Sequence, residues 1–186
     1  FALDQRVAVL DDDLRPIPPG SGGIGRIARR GDIPLGYHKD PEKTASTFPS
    51  DPDGVRWVVP GDWARVEDDG TISLLGRGSQ CINSGGEKIF PDEIEAVLAQ
   101  HPQIRHAAVV GVPDPVWMER VVALVEPLDP ESPPSLVDIQ AHCRTLLAGY
   151  KTPRGMVIGD LKRTPTGKVD FVWAQETAIT AQAPED

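Results

Sequence analysis

The sequence has few residues that could cross-link the chain or hold a metal ion. It contains two cysteines, Cys81 and Cys143, which stand far apart and outside any CxxC motif. Its four histidines lack metal-ligand spacing, and they are His38, His101, His106 and His142. Structural zinc sites need closely spaced ligands, and disulfides need an oxidising compartment. The pattern therefore predicts reduced structural thiols, no metal site, and histidines that are ordinary surface or boundary residues.

Long apolar runs and an excess of basic charge are also absent from the sequence. No run approaches the ~18 apolar residues of a membrane-spanning helix, and no secretory signal pattern is present. The net charge is −9, with 19 basic and 28 acidic residues, which argues against a broad electrostatic grip on nucleic acid. We expect a cytoplasmic globular protein with no transmembrane segment and no nucleic-acid partner.

The first part of the chain is a series of short apolar runs separated by turns. Ile24–Arg29 alternates apolar and polar residues, as a half-buried strand does, and Val55–Val59 and Thr71–Leu75 repeat the pattern. Asp68-Asp69-Gly70 is a hairpin-turn signal. Residues 1–77 are therefore predicted to form a small all-β unit.

The second part of the chain alternates helical and strand patterns. The predicted strands are Ala107–Val112, Val121–Val125 and Met156–Ile158, and the predicted helices are Pro91–Ala99, Ser135–Leu147 and Phe171–Thr177. This alternation predicts an α+β domain built around a small sheet, with a boundary near Arg77.

A lysine near the C-terminus lies in a stretch rich in turn residues. Pro165 stiffens the chain before Lys168, and Gly167 permits an unusual backbone angle next to it. The run Lys162–Asp170 is thus predicted to be a tight exposed loop with one ammonium group at its tip. A solvated loop lysine without a function fits the same residues.

Two polar side chains near the predicted boundary have the chemistry for nucleotide recognition. Asp62 follows an apolar run, where a carboxylate can accept hydrogen bonds from two neighbouring hydroxyls. Arg77 offers a planar fork of donors for hydroxyl or phosphate oxygens. An ordinary turn aspartate and a salt-bridged arginine are the alternatives.

Two further features indicate a surface that another molecule can approach. Gly85 and Gly86 lack side-chain bulk, so a ligand can come close to the backbone, although a plain hairpin turn needs the same residues. Trp117 lies in a connection between two predicted strands, where a tryptophan can also cover the edge of a core.

The run Gly76–Glu95 and the lysine loop together resemble the C-terminal part of the adenylate-forming superfamily. This superfamily includes acyl-CoA synthetases, luciferases and peptide-synthetase adenylation domains. The resemblance extends over about Val7–Trp173, and Ser84–Lys88 is more similar to acyl-CoA ligases than to peptide-synthetase domains. The residues around Gly167–Asp170 look like actinobacterial fatty-acid or steroid-acid CoA ligases.

The resemblance assigns an identity to each part of the chain. Residues 1–77 correspond to a β-rich subdomain at the end of the large N-terminal adenylation part. Residues 78–186 correspond to a mobile C-terminal α+β lid domain, whose small central sheet is flanked by helices.

The resemblance also implies roles for individual residues. Lys168 matches the catalytic lysine of adenylation, and Ser79 takes the position of the hinge between the two parts. The implied ATP or AMP contacts are Asp62, Arg77, Asn83 and Lys88. The implied CoA contacts are Ser84, Gly85, Gly86, Trp117, Tyr150 and Arg154.

Three positions depart from the family pattern. Pro60 replaces a threonine two residues before the ribose-binding aspartate. Ser79 stands where aspartate or lysine is usual at the hinge. Asp170 follows the lysine loop where many relatives carry arginine.

The implied parent enzyme uses ATP and Mg²⁺ to convert a carboxylic acid to an acyl adenylate and then transfers the acyl group to CoA. Its partners are the acid, ATP, CoA and an N-terminal part of the same polypeptide. Phe1 opens the sequence in place of methionine, so we expect a fragment, inactive alone because the ATP-phosphate loop and the acyl pocket are absent from it. Transfer to the phosphopantetheine of a carrier protein is one alternative. A stand-alone, non-catalytic lid that binds nucleotide or docks on a partner is another.

Overall fold

The computed structural model describes residues 6–182. The chain forms two compact units, with the boundary between Ser79 and Gln80. The described part of the first unit holds a four-stranded sheet and one α-helix, and that of the second holds a five-stranded sheet and three α-helices. The predicted α+β fold class is confirmed. Among the described residues, no helix has the length and apolar character needed to cross a membrane.

The sheet of the first unit is antiparallel, with its strands in chain order. Its strands are β1 (Val7–Leu10), β2 (Ile24–Arg29), β3 (Asp62–Val66) and β4 (Ile72–Arg77). Because successive strand side chains point to opposite faces, β1 contributes Ala8 and Leu10 to one apolar cluster and Val9 to another. The predicted turn at Asp68-Asp69-Gly70 joins β3 to β4, and Gly70 has the positive φ of 79° that such a turn requires.

A short helix, α1 (Pro41–Thr47), corrects the expectation that residues 1–77 are entirely β. Its N-terminus is stabilised because the side chain of Asp40 accepts a hydrogen bond from the Lys43 amide and proline occupies the first turn. The helix buries none of its residues. It therefore has no apolar periodicity by which the sequence could have indicated it.

The prediction of a strand at Val55–Val59 is wrong, because this segment is a loop. Only isolated bridges occur there, at Arg56 and Val58. The alternation has another cause, since Trp57 and Val59 are buried against the core and the Trp57 indole donates to Asp51 Oδ2 over 2.9 Å. This packing anchors a loop and does not extend the sheet.

Strand β8 is the central strand of the second unit. The five strands are β5 (Ile82–Ser84), β6 (Glu87–Ile89), β7 (Ile104–Asp114), β8 (Met118–Pro127) and β9 (Gly155–Ile158). β7 pairs antiparallel with β8 along one edge. Along the other edge β9 pairs with β8 in parallel, and β5 meets it through the pair Ser84–Met118.

Helices cover both faces of this sheet. They are α2 (Pro91–Leu98), α3 (Leu136–Arg144) and α4 (Phe171–Ala181). Apolar residues of α2 and α3 form one buried cluster with alternate residues of β7 and β8, and α4 forms a second cluster with the intervening ones. Because helices cover both faces, β7 and β8 have continuous apolar runs. The prediction of buried strands from these runs is confirmed.

Side-chain caps fix the starts of two of these helices. Ser135 and Asp138 form a reciprocal capping box at α3, and Asp170 caps α4 by accepting from the Trp173 amide over 3.2 Å. α2 begins with Pro91 and carries acids in its first turn, as predicted.

His101 is buried, which differs from the expected surface or boundary position. Its ring lies edge-on to that of His142, with centroids 5.1 Å apart, and its Nδ1 accepts from the Gln103 amide over 3.2 Å. Burial lowers the pKa of His101, the neighbouring His142 lowers it further, and Asp138 acts in the opposite direction. The neutral imidazole is therefore the form that the fold accommodates.

This lowered pKa predicts a loss of stability in acid. Above the unfolded pKa of about 6.5 the imidazole is neutral in both states, whereas below it the unfolded chain binds the proton more readily. We expect the free energy of unfolding to fall less steeply for His101→Gln than for the wild type between about pH 7.5 and pH 5. Denaturant titrations across this range measure the difference, and His106→Gln, at an exposed position, is the matched control. Parallel curves for wild type and His101→Gln would contradict this interpretation.

Candidate functional site

Asp62 and Arg77 lie side by side in the first unit. They are register partners at the start of β3 and the end of β4, and Arg77 Nε lies 3.3 Å from Asp62 Oδ1. Their side chains are 34% and 70% exposed. An ion pair this exposed contributes little to stability. Because both side chains reach solvent, both groups are accessible to a polar ligand.

A close backbone contact holds these two strand ends together. The Gly78 amide donates to the Gly61 carbonyl over 3.1 Å, and Gly61 has a φ of 97°. A Cβ atom on Gly78 would lie 2.5 Å from Trp63 Nε1, so only glycine fits there. Ser79 follows directly, exposed within a 3₁₀ turn over Gly78–Gln80, at the boundary between the two units.

The hairpin of β5 and β6, residues 82–89, is called the glycine hairpin below. Its turn is formed by Gly85 and Gly86, with φ values of 61° and 90°. Two successive positive φ angles are the conformation that favours glycine in two-residue hairpin turns. Both glycines are exposed, whereas the preceding Ser84 is buried.

Trp117 packs against this turn. The Gly85 amide donates to the Trp117 carbonyl over 2.8 Å, and a Cβ on Gly85 would lie 2.8 Å from the indole Cε3. The guanidinium of Arg154 lies over the Trp117 ring, 4.4 Å from its centroid. The indole is 39% exposed, so one aromatic surface and one cation lie beside an open backbone.

Asp114 shapes the loop that carries Trp117. Its Oδ1 accepts hydrogen bonds from the amides of Val116 and Trp117 at 2.9 and 3.0 Å. The Trp117 amide, followed by the Val116 amide, lowers the pKa of the Asp114 carboxyl. An ionised carboxylate therefore fixes the backbone of this loop at neutral pH.

Tyr150 lies in a 3₁₀ turn over Gly149–Lys151, with 41% of its surface exposed. The neighbouring Lys151 is nearly buried, and its Nζ bonds both carboxylate oxygens of Glu93, at 2.7 and 2.5 Å. Lys151 Nζ also lies 5.7 Å from the centre of the Tyr150 ring. This ion pair ties the turn to the first turn of α2.

Asn83 and Lys88 are exposed register partners across the glycine hairpin. The Asn83 amide donates to Glu119 Oε2 over 2.7 Å. Burial raises the pKa of the nearby Cys81 thiol, and the positive charge of Lys88 partly opposes that change. Cys81 and the buried Cys143 are both free thiols in the structure.

The loop of Lys168 is closed by hydrogen bonds within itself. Thr164 donates to the Lys168 carbonyl from its amide over 2.7 Å and from its hydroxyl over 3.2 Å. The Arg163 guanidinium donates to the Gly167 carbonyl over 3.1 Å, and Gly167 has a φ of 84°. At the base of the loop, Lys162 Nζ lies 3.5 Å from Asp170 Oδ2. Lys168 is exposed on this braced loop.

The structure thus groups the sequence-predicted residues into separate sets. It pairs Asp62 with Arg77, it brings Gly85, Trp117 and Arg154 together, and it places Lys168 on a loop of its own. Sequence reasoning missed three charged groups that organise these sets, and they are Glu93, Asp114 and Glu119. An aspartate just before a turn was a usable local signal for Asp114. Glu93 and Glu119 bond to residues 58 and 36 positions away, which no local pattern reveals.

The chain is similar to known proteins over nearly its whole length. Residues 93–168 match the family described as AMP-binding enzyme C-terminal domain. The chain is 50% identical, over 99% of its length, to the medium/long-chain-fatty-acid–CoA/3-oxocholest-4-en-26-oate–CoA ligase of Mycolicibacterium smegmatis. It is also 50% identical, over 98% of its length, to the 3-oxocholest-4-en-26-oate–CoA ligase of Rhodococcus rhodochrous. The chain spans 33% of each relative.

A solved structure gives the same result for the fold. ATP-bound MatB from Rhodopseudomonas palustris superposes with a TM-score of 0.79 and 29% identity, over 95% of this chain and 34% of that one. The sequence resemblance to the adenylate-forming superfamily is confirmed. Residues 93–168 in the second unit belong to the AMP-binding enzyme C-terminal domain family, and the chain is similar over nearly its whole length to acyl-CoA ligases.

Proposed function

We propose that this chain is the C-terminal part of an enzyme that forms an acyl adenylate from a carboxylic acid and ATP and then transfers the acyl group to CoA. The observation that carries the proposal is the presence of two different sites in the second unit. One is the braced loop with the exposed Lys168, and the other is the group of Gly85, Trp117 and Arg154. A two-step ligase needs a cation for the first step and an acceptor passage for the second.

In the first step the acid's carboxylate attacks the α-phosphorus of ATP and pyrophosphate leaves. Negative charge develops on the phosphate oxygens, and the ammonium of Lys168 stabilises it while contacting the carboxylate. Asp62 accepts hydrogen bonds from the ribose hydroxyls, and Arg77, its neighbour at 3.3 Å, donates to the same sugar or its phosphate. Asn83 and Lys88 provide further polar contacts to the nucleotide.

In the second step the second unit turns about Ser79, which withdraws Lys168 and brings the glycine hairpin to the thiol. Ser84, Gly85 and Gly86 then line the path of the pantetheine. Because Gly85 and Gly86 have no side chains, the pantetheine can approach the backbone there. Trp117 stacks on the adenine of CoA, and Tyr150 and Arg154 contact the rest of its nucleotide. Domain rotation of this kind is a hinge motion.

Mg²⁺ enters this proposal only with ATP. Among residues 6–182 no group of three histidine, cysteine, aspartate or glutamate side chains is arranged to hold a metal ion. Mg²⁺ is commonly bound through substrate phosphates and one or two carboxylates.

The pairing of Trp117 with Arg154 favours CoA over the phosphopantetheine of a carrier protein as the acceptor. An indole with a guanidinium 4.4 Å from its centre offers a stacking surface and a positive charge. CoA has an adenine and phosphates to use both, whereas a carrier-bound phosphopantetheine has no base. The names of the relatives point to fatty acids and 3-oxocholest-4-en-26-oate as the class of acid.

Removal of the Lys168 ammonium should affect the first step selectively. In the full-length enzyme, Lys168→Ala should slow adenylation by about 10²- to 10³-fold, the usual loss for one preorganised charge-stabilising donor. Thioester formation from a preformed acyl adenylate should change far less, because the lysine has moved away by then. Pyrophosphate exchange and single-turnover thioester assays measure the two steps. Lys162→Ala removes an ammonium from the same loop and is the control, and equal losses in both steps would mean that Lys168 is structural.

Removal of the Trp117 indole should affect CoA binding selectively. Trp117→Ala should raise the KM for CoA by about 2- to 12-fold, the scale of an aromatic stack, and leave adenylation nearly unchanged. Trp117→Phe keeps an aromatic ring and should show a smaller increase. Steady-state kinetics with varied CoA measure the effect. Unaltered CoA kinetics with a lower thermal midpoint would assign Trp117 to packing alone.

Loss of backbone freedom at the boundary between the units should affect the two half-reactions unequally. Ser79→Pro fixes φ near −65° and should trap the full-length enzyme in one conformation, so that one half-reaction falls much more than the other. Ser79→Asp should retain both half-reactions, because a pivot requires backbone freedom and no particular charge. Measuring both half-reactions for each variant tests this, and a proline variant with no selective loss would place the pivot elsewhere.

A further inference from the structure

The glycine hairpin has little strand pairing to hold it in place. Its strand β5 meets the central strand β8 through the pair Ser84–Met118 at the first residue of β8. A two-stranded hairpin is at best marginally stable without further contacts. The buried side chains of Ile82 and Ile89 anchor its two strands in the core of the second unit. Its attachment to the segment around Trp117, against which its turn packs, depends on further contacts.

Two hydrogen bonds provide that attachment, one on each side of Met118. On one side the Gly85 amide donates to the Trp117 carbonyl over 2.8 Å. On the other the Asn83 amide donates to Glu119 Oε2 over 2.7 Å. The second bond has an ionised acceptor, and such bonds are shorter and stronger than bonds between neutral groups.

The neighbouring strand leaves room for this carboxylate. A Cβ atom on Gly111 would lie 3.0 Å from Glu119 Oε1 and 3.2 Å from Ile82 Cγ2. Gly111 is a β7 residue, so the Glu119 carboxylate extends over the strand that pairs with its own. A side chain at residue 111 would crowd the carboxylate and the start of the hairpin together.

Met118 adopts a backbone conformation that the surrounding bonds must impose. Its φ is 67°, in the left-handed region, which is sterically disfavoured for a residue with a Cβ. The side chain is 66% exposed, so burial does not select methionine here. The conformation directs the Trp117 carbonyl and the Glu119 side chain towards the same hairpin, which explains why it persists.

We infer that Glu119 is a positioning residue for the thioester step, whose carboxylate holds the glycine hairpin against Trp117. The hairpin backbone lines the proposed path of the pantetheine, and the indole is the proposed stacking surface for the adenine. Their relative position therefore decides where the thiol of a bound CoA arrives. Losing the Glu119 bond leaves the hairpin anchored in the core by Ile82 and Ile89, but attached to the segment around Trp117 only by the Gly85 amide and one strand pair. The inference rests on the proposed function, because it assigns the hairpin to the second half-reaction.

The attachment itself is tested without any substrate. Amide hydrogen exchange of the full-length enzyme, followed by mass spectrometry of peptides covering residues 82–89, reports how often the hairpin opens. Glu119→Ala should speed exchange there by about 10-fold, the lower end for a lost hydrogen bond to a charged group. Glu126→Ala is the matched control, because it removes another carboxylate from β8 that pairs with Arg105 and not with the hairpin. Unchanged exchange in Glu119→Ala would overturn the inference.

The role is tested by the two half-reactions. Glu119→Ala should slow thioester formation from a preformed acyl adenylate by about 10- to 100-fold. Adenylation should fall far less, because the hairpin contributes only the secondary nucleotide contacts of Asn83 and Lys88 to that step. Glu119→Gln keeps the shape and a neutral acceptor oxygen, so it should lie between Ala and wild type in both assays. If Glu119→Ala does not fold, Glu119→Gln alone tests the inference. Wild-type values for Glu119→Gln in both the hydrogen-exchange and the thioester assay would overturn it.

Equal losses in the two half-reactions would overturn the inference, because Glu119 would then be merely structural. No loss in either half-reaction would also overturn it, because the carboxylate would then have no role in the thioester step. Failure of the proposed function has a different signature. A wild-type enzyme that forms no CoA thioester would refute that function, and the positioning role with it, whatever the exchange data show. Normal wild-type activity with no selective loss in Glu119→Ala would refute the positioning role alone.

Discussion

Burial of both faces of the β7–β8 pair is the constraint on which the second unit depends. Helices α2 and α3 cover one face and α4 the other, so alternate strand residues enter different cores. Every candidate site in this unit is attached to that pair. Trp117 lies between its two strands, Arg154 precedes the strand that pairs with β8, and the Lys168 loop leads directly into α4. The sheet therefore acts as a rigid frame for groups that lie on loops, as is common for functional residues.

The main elements of this unit were predictable from sequence because their signals are local. Continuous apolar runs marked β7 and β8, and proline with acids in the first turn marked α2. Helix α1 gave no such signal because it buries nothing, and Val55–Val59 gave a misleading one because a buried tryptophan anchors a loop there. Glu119 and Glu93 were missed for a different reason. Their partners are distant in sequence, and only the fold brings them together.

The roles of individual residues were implied by the family resemblance, whereas the helices and strands were indicated by local sequence patterns. Lys168 was found through a turn-rich sequence, and the structure gives that loop its internal hydrogen bonds. The departure at Asp170 also has a physical reason, because this side chain caps α4 and pairs with Lys162. A carboxylate can accept the Trp173 amide bond, whereas an arginine offers only donors. The acidic residue therefore strengthens the helix start at the base of the loop.

The self-contained bonding of the Lys168 loop has a consequence for the entropy of the proposed adenylation step. Thr164, Arg163 and Gly167 order this loop through bonds that involve no other element. The conformational freedom of its backbone is thus lost when the chain folds and not when a substrate arrives. A group carried on such a loop travels as part of a rigid body. In the proposed adenylation, placing its ammonium against a phosphate would require no further ordering of the loop, and only the lysine side chain would remain to be restricted.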